Sequence, residues 1–138
     1  METKFLIIGG ICVLAIIIVF FIINTSVFNY VDTSFATEIA LKYHYGDKKI
    51  DVVITDENDI NILKENLKGK IMLGTPSCGA RLDISLTFTD GKRSITLCPA
   101  CDSCWGAVIG DTNRYISIRD RDAFEAVVEK YGMTFPCV

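Results

Sequence analysis

The chain is poor in the residues that build most active sites. Its 138 residues include one histidine, one tryptophan and three prolines. A lone histidine, His44, leaves any His-based triad or His-rich metal site without a second imidazole. There is no G-x-S-x-G elbow, no H-E-x-x-H helix and no phosphate-cradling glycine loop. Positive charge is also sparse, with 14 Lys and Arg against 17 Asp and Glu. The basic residues, such as Lys48, Lys92, Arg114 and Arg121, form no stripe, so the chain carries no nucleic-acid footprint.

What the chain does have is apolar surface, distributed unevenly. Half of its residues are hydrophobic and its mean hydropathy is +0.35. Much of the excess lies in one run, "FLIIGGICVLAIIIVFFII", Phe5 to Ile23, free of charge and proline. As a helix this run would reach roughly 28 Å, close to the hydrocarbon thickness of a bilayer. The expectation is a single transmembrane anchor over residues 1–24, with the bilayer as partner of residues 5–23. A cleaved signal peptide competes, but the run is longer than the usual signal core, and no small-x-small site follows closely. Lys4 precedes the run and no Lys or Arg follows it until Lys42. The positive-inside rule then leaves the N-terminus in the cytoplasm and the C-terminal domain outside, at the cell membrane.

Residues 25–37 read as a neck and residues 38–138 as one extracytoplasmic domain. "IALKYHYGDKKIDVVIT" shows two period-2 patterns around "GDKK". Folding there pairs Tyr45 with Ile50, Tyr43 with Val52 and Leu41 with Ile54, so the large apolar residues share a face. His44 falls on the other, polar face. Asp56 can cap a helix whose stripe is Ile60, Leu63 and Leu67 and whose end is Gly69. "KIMLG" reads as a strand. A hairpin turning at Asp90-Gly91 pairs Leu86 with Ile95 and Ile84 with Leu97. A third hairpin turns at Asp111-Thr112. A second helix is capped by Asp120, striped by Phe124, Val127, Val128 and Tyr131, and closed by Gly132. The expected fold is α+β: an antiparallel sheet of hairpins with two amphipathic helices on one face, behind a single transmembrane helix.

Chemistry, if any, resides in the cysteines. Cys12 lies in the apolar run and reads as filler. Five others are Cys78, Cys98, Cys101, Cys104 and Cys137, three of them within "CPACDSCW". In an oxidising compartment a small domain gains from crosslinks, so the first expectation is disulfides. Hairpin register favours Cys78–Cys104, with Cys78–Cys101 as the alternative, leaving Cys137 to pair with Cys98 or Cys101. Five is odd, which keeps three rivals open. One is zinc held by Cys98, Cys101, Cys104 and Cys78 or Cys137. Another is thiol–disulfide exchange at "CPAC", and the last is an iron–sulfur cluster. Trp105, next in sequence, reads as core packing.

These features point to an anchored, disulfide-supported module with a binding, sensing or accessory role rather than an enzymatic one. Its partner would be another envelope protein, and it would need no cofactor. The alternative is a zinc-binding or thiol-redox protein using the Cys98–Cys104 segment.

Overall fold

The computed structural model describes residues 12–21, 29–74, 80, 82–100 and 104–134. The chain divides into two units, Met1–Tyr30 and Val31–Val138. In the first, residues 12–21 are helical (α1) and their side chains are exposed. Among the described residues no helix is long and apolar enough to cross a membrane. This corrects the transmembrane, single-pass and membrane-anchor expectation, which rested on the hydropathy of a run, residues 5–23, that lies partly outside the described residues.

The second unit begins at Val31, inside the stretch read as a neck, and Val31, Thr33 and Ala36 are buried in it. Its strands are β1 (Tyr30–Val31), β2 (Glu38–Tyr45), β3 (Lys48–Ile54), β4 (Gly69–Lys70), β5 (Met72–Leu73), β6 (Ile84–Thr89), β7 (Ser94–Pro99), β8 (Gly106–Ile109) and β9 (Arg114–Ser117). Helix α2 (Glu57–Asn66) follows β3, and α3 (Arg121–Lys130) follows β9. Seven strands form one sheet in the order β3-β2-β6-β7-β8-β9-β5, with every neighbouring pair antiparallel. The α+β class with antiparallel pairing is therefore as the hydrophobic patterns imply. "KIMLG" does not form one strand. Its residues are divided between β4, which pairs with β1 in a separate ribbon, and β5, which closes the large sheet against β9.

Alternation along the strands is what builds the core. Ile39, Leu41 and Tyr43 on β2 lie beside Ile84, Leu86 and Phe88 on β6, all buried. Leu97, Ala107 and Ile116 extend the same face across β7, β8 and β9. The helix stripes meet it: Ile60, Leu63 and Leu67 from α2, and Phe124, Val127 and Val128 from α3, join one continuous cluster. Both helices therefore cover the same side of the sheet. Each begins as its sequence dictates. The Asp56 carboxylate accepts the Asp59 N–H at 3.0 Å, and the Asp120 carboxylate accepts the Ala123 N–H at 3.1 Å. Buried Asn66 links the two, its side-chain oxygen accepting the Asp120 N–H at 2.8 Å.

Two hairpin registers differ from expectation, each by two residues. Leu41 faces Val52 and Tyr43 faces Ile50, because the turn is the two-residue loop Gly46-Asp47 with Gly46 at φ +58°. Leu86 faces Leu97 and Phe88 faces Ile95, because the loop over residues 90–93 is held by Asp90. Its Oδ1 accepts the N–H groups of Lys92 at 2.9 Å and Arg93 at 2.7 Å, while Oδ2 receives the Arg93 guanidinium. A slip of two keeps every side chain on its face, so the core pattern survives both changes. The third hairpin pairs Gly106 with Ser117 and Val108 with Tyr115, centred on residues 111–112 as expected.

Candidate functional site

The cysteine segment straddles the end of β7 and the start of β8. Pairing of Cys98 with Val108 and of Pro99 with Ala107 brings the chain to a tight return, and the Ala100 N–H donates to Gly106 O at 2.8 Å. Cys98 points away from the helices, yet it is only 1% exposed. Its thiol is free and lies 3.9 Å from the Gly110 carbonyl oxygen. Burial, with a smaller contribution from the Asp111 charge, pushes this thiol up to about 11. At neutral pH Cys98 is thus a protonated, shielded group, a poor nucleophile and a poor ligand as it stands.

Of the other sulfurs, Cys104 is disulfide-bonded, and the described residues do not include its partner. Cys78, Cys101 and Cys137 lie outside the described residues. Cys12 is free and exposed. No disulfide joins two described cysteines, and a free Cys98 rules out its expected bridge to Cys137. The disulfide framework read from the sequence is therefore corrected. Among the described residues no group of three His, Cys, Asp or Glu converges as a metal site. The donor set proposed for zinc includes Cys98, which is protonated, and Cys104, which is already oxidised.

Trp105 departs most from expectation. It is 55% exposed rather than packed in the core. Its backbone is nonetheless fixed, since Trp105 O accepts the Ile118 N–H at 2.8 Å and the next residue, Gly106, pairs with Ser117. The Arg121 guanidinium carbon lies 5.9 Å from the indole centroid. Arg121 is itself held, its Nε donating to Glu125 Oε1 one turn along α3. The result is a flat aromatic surface with a cation at its side, mounted on a strand end and a helix start. Sequence reasoning missed this pairing, because Trp105 and Arg121 are brought together only by the β8–β9 hairpin.

Several other polar groups are committed to structure. His44 pairs with Asp51 at 2.8 Å on the exposed face of β2 and β3. Asp59, expected only as a first-turn acid, is buried and accepts Lys130 Nζ and the Tyr131 hydroxyl, each at 2.6 Å. A cleft of about 330 Å³ runs between residues 36–37 and the start of α2, floored by Ile60 and Lys64. The Lys64 amine is spent on the Ala36 carbonyl at 2.7 Å. Among the described residues no buried side-chain nitrogen or oxygen lacks a partner. No family model, curated protein or solved structure matches the chain.

Proposed function

We propose that the unit from Val31 onward is a non-enzymatic binding or accessory module that engages a protein partner through Trp105 and Arg121. The observation that carries this reading is the half-exposed indole on a fixed backbone. Aromatic residues and arginine dominate the energetics of protein interfaces, and a rigid anchor loses little conformational entropy on docking. The commitment of Asp59, His44 and Lys64 to internal partners favours binding over catalysis.

The same reading places the module in a non-reducing compartment, such as the space outside the cytoplasm. The oxidised state of Cys104 supports that placement. An envelope protein is then the fitting class of partner.

Site-specific photo-crosslinking in cells tests the proposal. A benzophenone amino acid at position 105 should give a discrete adduct with a second protein, and one at Lys92, on the opposite hairpin loop, should not. Identical adduct patterns at the two positions, or none at 105 in a folded protein, would overturn it.

A further inference from the structure

We infer that β3 is a self-association edge, on which a second copy of this chain adds its own β3 antiparallel across a twofold axis. Among the described residues β3 is the outermost strand of the seven-stranded sheet, and all seven of its residues pair on one side only. In an antiparallel ladder successive residues bond alternately to the two sides. His44 donates its N–H to Asp83 O, toward β6. Odd-numbered residues of β2 therefore bond toward β3, and their partners Lys48, Ile50, Val52 and Ile54 bond back. The backbone N–H and C=O groups of Lys49, Asp51 and Val53 face outward from the sheet, which is a template for strand addition.

Side-chain charge selects the occupant and the register. Full overlap of two β3 strands would set Asp51 opposite Asp51, and like charges directly opposite repel. A shift of two residues sets Lys49 opposite Asp51 of the second copy and Asp51 opposite Lys49, two reciprocal ion pairs from one symmetric operation. The same shift places Ile50 on the axis against its own copy. Ile50 and Val52 pack against the core from this edge, and both are only half-buried in the single chain. Pairing would cover them. Lysine on an edge strand normally discourages pairing, but here a second copy supplies the matching acid. His44 engages Asp51 through Oδ2 alone, and the Asp51 side chain is 68% exposed. One added strand buries less than the ~1,200 Å² of a standard interface, so the dimer is reversible.

The test uses the full chain, prepared once with natural nitrogen and once with ¹⁵N, mixed in a nonionic detergent and treated with a carbodiimide that joins contacting amines and carboxylates. The expected product is a Lys49–Asp51 crosslink carrying one light and one heavy peptide, which only two different chains can make. The double exchange Lys49→Asp with Asp51→Lys should regain the mixed product with the roles reversed. Asp51→Lys alone sets the Lys49 ammonium against a second ammonium across the axis and should weaken the dimer at least about fivefold in sedimentation velocity. Lys49–Asp51 crosslinks of one isotope only, or mixed products joining other residues, would overturn the inference.

Discussion

Asp59 on α2 and Lys130 on α3 lie 71 positions apart in sequence and meet at 2.6 Å, with the Tyr131 hydroxyl on the same carboxylate oxygen. The Asp59 residue is buried while the lysine stem stays half in solvent, so one acid fastens the ends of two helices that otherwise touch through apolar stripes. Hydrogen bonds from Lys130, then from Tyr131, hold its carboxyl below the ordinary aspartate value.

Replacing Asp59 with alanine should therefore cost about 1–3 kcal/mol, because the Tyr131 hydroxyl and Lys130 amine lose a shared acceptor. The pH signature follows from the direction of the shift. A carboxyl whose folded value is depressed stabilises fully above its unfolded value near 3.9, and the contribution is lost as pH falls through the folded value. Urea melts from pH 6 down to pH 2 should show wild type losing stability more steeply below about pH 4 than Asp59→Asn. Parallel curves would remove the clamp from the account of stability.

Cys98 titrates in the opposite window. Its folded value is raised to about 11, so its stabilising effect is complete below the unfolded thiol value near 8.5 and fades as pH rises through 11. The difference in stability between wild type and Cys98→Ala should shrink across that alkaline range. At pH 8 a thiol reagent should label exposed Cys12 at once and reach Cys98 only after unfolding. Immediate labelling of both in the native protein would contradict the burial.

Trp105 is the only tryptophan, so its fluorescence reports one site. Acrylamide should quench the native emission nearly as well as the unfolded emission, because the indole is more than half exposed. Trp105→Ala should change folding stability by less than about 1 kcal/mol. Strong protection from quencher would return Trp105 to the core.

Two glycines separate backbone strain from crowding. Gly46 sits at φ +58°, and a Cβ there would meet nothing within 4 Å. Gly46→Ala should cost about 1–2 kcal/mol for the left-handed backbone alone. Gly132, at φ +90°, would bring a Cβ to 2.9 Å from Ile50 Cδ1. Because that atom is the far end of a flexible, half-buried side chain, Gly132→Ala should cost at most about 1 kcal/mol more than Gly46→Ala in matched denaturant melts, and a larger gap would mean that Ile50 cannot move aside.

The primary sequence by itself determined which strand side chains face the core and where α2 and α3 start. Leu41, Leu86 and Leu97 turn inward because a period of two leaves them no other face, and Asp56 and Asp120 cap because a short acid before a helical stripe satisfies exposed N–H groups. Both are local properties, carried by neighbours in the chain. Register was not local in this sense. A slip of two residues preserves every face, so only the Gly46-Asp47 turn and the Asp90 loop chose between equivalent pairings. Nor could the pattern foresee that Cys98 would be shielded and protonated, that Trp105 would remain in solvent beside Arg121, or that Asp59 would reach Lys130. Those outcomes depend on which distant segments pack together, and long-range packing decides burial, charge state and partner for each side chain.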